Sequence, residues 1–313
     1  MTSAERIAIV AGARTPVGRF DGAFRGTPAH ELGAQAVSAA LERSTVDAAR
    51  VGEVVIGTIG QVASDAYIAR RIALAAGLAD DTPAFTVNRL CGSGLQSIWS
   101  AAQELRWGGI DVAVAGGAEN MTRMPFYDMD ARSGATLGHR RLLDGTLAML
   151  TDPFSGRHMG TTAETVAERF GVTRAEQDAY ALESQRRAST DAARAAFAEE
   201  IAVTTTTDRR PVEVSLDEHP RPDTTLEALG RLRPAFTPDG TVTAGNASGI
   251  NDGAAATVLM RESDVRAEGL PALATIEAVT TAALDPAIMG YAPTLALRKL
   301  FAQTGLTPAD VST

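Results

Sequence analysis

The sequence predicts an α/β fold in which helices are layered on a mostly parallel sheet. Three observations carry that expectation. Short apolar runs alternate with helix-period segments over the first 120 residues. Glycines punctuate the ends of those segments. The same alternation resumes near residue 254 after a long irregular stretch. A chain of 313 residues, 45% apolar and 21% charged, buries a sizeable core and forms two subdomains or more.

In chain order, Arg6 to Ala11 reads as a buried strand. Pro28 to Arg43 reads as a helix, with Leu32, Ala36, Ala39 and Ala40 on one face and proline near its start. Glu53 to Ile59 is strand-like, and Ala66 to Ala76 is a helix stopped by Gly77. Ala84 to Val87 is a strand. Gly92 to Trp107 is a helix on the 3.6 period of Leu95, Ile98, Trp99, Ala102 and Leu105, with Gly108-Gly109 as its stop. Asp111 to Ala115 is the next strand. From Met121 the pattern loosens into loop-like segments such as Ser133-Gly134-Ala135, interrupted by helices near Thr161–Phe170 and over Arg174–Glu200, the latter with Thr173 and Glu176 as a capping pair. The expected division is therefore 1–120, completed by 246–268, an inserted subdomain 121–245, and a second unit begun over 269–313. That second unit holds a strand Ala272–Val279 and a helix Pro293–Thr304.

Composition narrows the function. A net charge of −9 and a pI near 5.1 argue against a nucleic-acid surface. The four histidines, His30, His139, His158 and His219, lack ligand spacing, and a single cysteine makes no thiolate cluster, so no metal site is expected. Neither a signal peptide nor a membrane-spanning run is evident, which points to a cytoplasmic protein. No Walker loop, GxGxxG or G-x-S-x-G motif occurs.

Chemistry concentrates at Cys91, in Val87-Asn88-Arg89-Leu90-Cys91-Gly92-Ser93-Gly94. A thiol at a strand-to-helix junction meets the positive end of a helix, which favours the thiolate nucleophile. The competing reading is a buried, inert cysteine acting as a small hydrophobe. Three further segments have the same double character. Gly116 to Met121 is a sheet-edge site or a plain turn. Arg157 to Glu164 is an anion-binding helix start or a solvated cap. Thr243 to Ala256 is a surface for a bulky ligand or tight packing of small residues.

Taken in order, these segments resemble the thiolases. The resemblance is carried by Val10 to Gly18, Asn88 to Gly94, Ala115 to Met121, His158-Met159-Gly160, Arg231 to Phe236 and Gly245 to Ala256. It implies a layered αβαβα fold of two βαβαβαββ halves, with a loop domain inserted in the first and the second half incomplete. It implies that Cys91 becomes acylated in a reversible condensation of two acetyl-CoA to acetoacetyl-CoA. Coenzyme A and acyl-CoA are then substrates, and no cofactor is permanently bound. By the same resemblance, Leu150, His158, Met159, Arg221, Phe236, Ala244 and Ser248 meet coenzyme A, and Met289 borders the acyl pocket. Ala228 stands where many relatives have serine. The His158-Met159 pair resembles the short-chain branch, with the fatty-acid-degrading 3-ketoacyl-CoA thiolases as the alternative. A homotetramer or homodimer is implied too.

The family pattern also contains Asn-Glu-Ala-Phe, Gly-His-Pro and a second cysteine, which are absent from these 313 residues. A CoA-binding module without turnover is therefore a further alternative, and a ketoacyl synthase is disfavoured by the loop domain. Acid–base groups contribute about 10²–10⁴-fold. The 313-residue chain alone is thus expected to cleave acetoacetyl-CoA very slowly in a thiolysis assay; robust turnover lost in Cys91→Ser would contradict this.

Overall fold

The computed structural model describes residues 5–134 and 137–312; Ala135 of the Ser133–Ala135 segment lies outside them. The chain divides into two compact units. The first holds residues up to Met124, Arg194–His219 and Ile250–Ile276; the second holds Pro125–Ala193, Pro220–Gly249 and the residues from Glu277 onward.

The first unit is built on a seven-stranded sheet among the described residues. Its strands are β1 (Ile7–Arg14), β2 (Gly18–Arg19), β3 (Val51–Gly57), β4 (Ala84–Val87), β5 (Val112–Asn120), β6 (Asn251–Arg261) and β7 (Ala274–Ile276). They lie in the order β7-β1-β6-β5-β3-β4, with β2 also on β6. The expected mostly parallel sheet is instead mixed. β3 pairs β4 and β5 in parallel, while β1 runs antiparallel to β6 and β7, and β6 antiparallel to β5 and β2. The reason is β6, which enters the centre of the sheet after a detour of more than a hundred residues and runs against both neighbours.

Both faces are covered, as near-continuous apolar strands require. Helices α1 (Ala29–Ser44) and α2 (Ile68–Ala75) bury Leu32, Val37, Ile68 and Ile72 against Val54, Val114 and Met260. Helix α3 (Ser93–Trp107) buries Ala101, Ala102 and Leu105 on the opposite face, against Val55, Ala113, Ala115 and Leu259. Strand alternation explains the split: Val112 and Val114 face one layer, Ala113 and Ala115 the other.

Several boundaries differ from the sequence reading. β5 runs on through Gly116 and Gly117 to Asn120 rather than turning there. A Cβ on Gly116 would come within 2.4 Å of Ala255 O, so glycine here allows a close strand approach and does not mark a turn. The expected Arg174–Glu200 helix is two helices, Arg174–Ala188 and Asp191–Glu200. Thr190 Oγ1 accepts from Ala193 N at 3.1 Å and donates to Arg187 O, so this side chain restarts the helix after Ser189. The Ala272–Val279 strand shrinks to β7, paired with β1 in the first unit. The short helix Glu262–Glu268 escaped the periodicity.

The units also cut across the expected 121–245 insertion. Residues 194–219 belong with the sheet because Arg14 holds them: its guanidinium meets Asp217 at 2.8 and 3.1 Å and Glu200 at 3.0 Å, and Ala202 N donates to Arg14 O. Residues 277–313 group with the second unit instead of standing alone.

Thr15 closes the first unit's sheet at the end of β1. Its N–H donates to Ala254 O at 2.9 Å, and its buried hydroxyl accepts from Ala254 N at 3.0 Å while donating to Pro16 O. Thr15→Val keeps the shape and strands the Ala254 N–H. Urea unfolding should register a loss of about 1–3 kcal/mol; a loss below the error of the method would mean another acceptor takes over.

Candidate active site

In the first unit, five residues connect β4 to α3, and Cys91 is among them. Local hydrogen bonds hold the turn. Asn88 Oδ1 accepts from Leu90 N at 2.9 Å. Arg89 O accepts from Gly92 N at 3.0 Å, and Leu90 O from Ser93 N at 2.9 Å. The Ser93 hydroxyl donates to Leu90 O at 2.6 Å and accepts from Arg89 N at 2.8 Å. Leu90 takes φ of 49°, the left-handed region that a bulky side chain rarely adopts and that concentrates at functional sites. The result is an exposed Cys91 two residues before α3 begins. Exposure removes the reading of Cys91 as a buried hydrophobe.

Two glycines let α3 start this close to the sheet. A Cβ on Gly57, the last residue of β3, would lie 2.4 Å from Ser93 C. One on Gly117 of β5 would lie 3.3 Å from Gly57 O and 3.7 Å from Gly94 Cα. Ser97 Oγ donates to Gly116 O at 2.8 Å and ties the helix down one turn later. Sequence reasoning passed over Asn88 and Ser93, whose side chains lock the turn. The available signal was an Asn and a Ser flanking the cysteine, residue types that bond local backbone.

The second unit brings four of the expected coenzyme A residues together. Its helices include α4 (Gly160–Phe170), α5 (Arg174–Ala188) and α6 (Leu226–Gly230). Met159 N donates to Leu150 O at 2.7 Å. The His158 ring stacks on Phe236, with centroids 4.8 Å apart and planes at 21°. Gly160 N donates to His158 Nδ1 at 3.0 Å, so the neutral ring carries its proton on Nε2 and presents it as a donor. Gly160 has no room for a side chain: a Cβ would lie 2.3 Å from the Phe236 ring.

The remaining expected residues sit on loops of this unit. Arg221 is exposed, its N–H donating to Gln185 Oε1 at 2.7 Å. Ala244 and Ser248 are exposed in a loop whose backbone is fixed by Asn246: Thr243 N donates to Asn246 Oδ1 at 2.7 Å, and Asn246 Nδ2 donates to Asp178 Oδ1. Gly245 in that loop approaches Leu229 and Leu232 too closely for a Cβ, which brings it against the end of α6. Ala228 lies in α6, with its N–H capped by Thr225 Oγ1 at 3.1 Å. Met289 is exposed, beside buried Ile288, and Tyr291 after it stacks on Phe170 of α4 at 4.6 Å.

A cleft of about 560 Å³ also opens in this unit, lined among others by Arg157, Thr161, Glu164, Glu168 and Asp239. None of the expected coenzyme A residues lines it, whereas Arg157, Thr161 and Glu164 belong to the candidate anion-binding helix start. Its Glu164 is occupied structurally, accepting from Thr241 N, Thr241 Oγ1 and Val242 N, and these bonds hold the carboxyl below the usual range against the opposing effect of burial. Among the described residues no group of three or more His, Cys, Asp or Glu is placed to hold a metal ion, and no helix is long and apolar enough to cross a membrane.

The thiolase N-terminal domain matches residues 7–263 of the chain. The chain belongs to the thiolase family. An acetyl-CoA acetyltransferase of Pseudomonas aeruginosa is 45% identical over 302 residues, covering 96% of this thiolase and 77% of the relative. A beta-ketothiolase of Cupriavidus necator is 43% identical over 308 residues, covering 97% and 78%. The crystal structure of the Bacillus anthracis acetyl-CoA acetyltransferase superposes with a TM-score of 0.96 at 39% identity, covering 99% of this thiolase and 79% of that chain.

Gly57 beneath the Cys91 turn and Gly94 in the first turn of α3 make opposite predictions. Gly57→Ala pushes against the Ser93 backbone and should destabilise this thiolase by about 1–3 kcal/mol. Gly94→Ala meets open space inside a helix and should be neutral or stabilise by up to about 1 kcal/mol. Equal effects in guanidinium unfolding would contradict the close approach.

Proposed function

We propose that this thiolase is an acetyl-CoA C-acetyltransferase that works through an acetyl-Cys91 intermediate. The observation that carries the reading is the exposed Cys91, held by a strained, hydrogen-bonded turn at the start of α3. In this reading the Cys91 thiolate attacks the thioester carbonyl of acetyl-CoA. The C–S bond to coenzyme A breaks, coenzyme A leaves as thiolate, and the acetyl group rests on Sγ. The second acetyl-CoA loses an α-proton, which in net balance goes to the coenzyme A thiolate released in the first step. Its α-carbon attacks the acetyl-Cys91 carbonyl, the C–Sγ bond breaks, and acetoacetyl-CoA leaves with Cys91 freed as thiolate; thiolysis runs the same bonds backwards. The amino-terminal end of α3 opposes the negative charge that develops at the carbonyl oxygen.

Coenzyme A is a substrate here, carried by the second unit. The His158–Phe236 stack, with the Nε2–H as donor, and the Leu150–Met159 backbone pair form one part of its site. Exposed Ala244 and Ser248 line the pantetheine path with small side chains, Arg221 offers its charge to the adenine and phosphate end, and Met289 borders the acyl group. We also place the protein in the cytoplasm, as a homotetramer or homodimer.

The acyl step is separable from complete turnover. Incubation with [14C]acetyl-CoA should transfer one acetyl group, located at Cys91 by mass spectrometry and absent in Cys91→Ser. Iodoacetamide should block the transfer. Label on another residue, or a folded protein whose Cys91 resists alkylation, would overturn the reading.

A further inference from the structure

Glu119 is a half-buried carboxylate without an assigned task. It is the next-to-last residue of β5, and strand alternation puts it on the same sheet face as Ala113, Ala115 and Gly117. That is the α3 face, and Gly117 on it lies against Gly94. The Glu119 carboxylate accepts from Ile59 N at 2.8 Å, from Gly60 N at 3.0 Å and from Thr58 Oγ1 at 3.3 Å. These donors are the three residues that follow β3. Thr58 also donates its own N–H to Val87 O at 3.2 Å, the last carbonyl of β4. Gly57, just before, is the residue on which Ser93 rests. Glu119 is therefore joined through one short segment to both ends of the Cys91 turn.

Three neutral donors converging on one side chain require an acceptor-only group. An ionised carboxylate meets that requirement, and a carboxamide would aim its own NH₂ at an N–H. We propose that Glu119 is a positioning residue for Cys91: by holding Thr58–Gly60 it fixes the end of β3 on which the nucleophile's turn is seated. The assignment rests on Cys91 being the acyl-carrying thiol. Burial pushes the Glu119 carboxyl above its ordinary range, helped by the negative charge of Asp65 and opposed by the three hydrogen bonds. It consequently takes up a proton at a higher pH than an exposed glutamate and then offers a donor where an acceptor is needed.

The test compares the full chain with Glu119→Gln and the milder Thr58→Val by amide hydrogen exchange, corrected for intrinsic rates, and by the rate of iodoacetamide alkylation at Cys91. Exchange should quicken in both variants at residues 58–60 and also at 88–93, and alkylation should change about threefold or more, as expected when a reacting group is misplaced. In the unaltered chain, exchange at 88–93 should quicken as pH falls through the Glu119 titration, a dependence that Glu119→Gln removes. Faster exchange confined to 58–60, with alkylation and pH dependence unchanged, would overturn the proposal, leaving Glu119 a local structural residue. Should Glu119→Gln fail to fold, Thr58→Val and the pH series decide alone. Alkylation and exchange need no acyl transfer, so failure of the acetyl-Cys91 reading would be seen separately.

Discussion

The first unit depends on one close approach: the start of α3 rests directly on the carboxyl ends of β3 and β5. Helix and sheet normally keep a side-chain layer between them. Here Gly57 and Gly117 remove that layer, and the Ser93 backbone occupies the space of the absent Cβ at Gly57. The consequence is covalent as well as steric. β4 ends beside β3, α3 must begin on top of it, and only five residues join them. So short a connection forces a sharp turn, and the turn places Leu90 at a positive φ. The strain costs on the order of 1–3 kcal/mol and persists because the surroundings over-determine it. Asn88, Ser93 and the two glycines are those surroundings, and the exposure of Cys91 follows from them.

Most of the main elements were legible because burial on both faces and helical periodicity leave strong traces. α1, α3 and β4 match the sequence reading to within a residue or so. What was misread has a common cause. Glycine has two meanings, a turn or a close approach, and a single sequence does not separate them. Gly116-Gly117 was read as the end of a strand, whereas β5 continues and the glycines admit Ala255 on one side and Gly57 on the other. Strand direction was illegible for a different reason. β6 carries the same apolar pattern whichever way it runs, and only its pairing with β1 and β5 makes the sheet mixed.

The candidate site was legible in its residue types and not in its supports. Cys91 stands out as a lone thiol and His158 as an imidazole at a helix start, whereas Phe236 is named only by the resemblance. The groups that hold them are ordinary: the Gly160 N–H fixes the His158 tautomer, and Asn246 bonds its own loop. The Arg14–Asp217 pair is long-range, about 200 residues apart in sequence, and no local pattern announces it. It also explains why residues 194–219 leave the expected insertion and pack with the sheet.

Two carboxylates of the first unit, Asp252 fully buried and Glu119 half-buried, show how the same chemistry separates a fold from a site. Asp252, fully buried near the start of β6, accepts from Thr122 N and Oγ1, and Thr122 in turn receives Asp21 N. Its donors lie on the turn Met121–Arg123 that follows β5. Glu119 pairs with Gly253, the neighbour of Asp252, in the strand register, yet alternation turns its carboxylate to the opposite face. Burial raises both carboxyls, since charge is unfavourable out of water, and hydrogen bonds from neutral groups return part of that cost. The difference between them is therefore what each holds in place. One secures a covering turn; the other secures the strand end beneath the thiol. A register shift of one residue in β5 would exchange those faces and remove the support from under Cys91. The antiparallel pairing with β6, continuous from Asp252–Asn120 to Met260–Val112, is what forbids that shift.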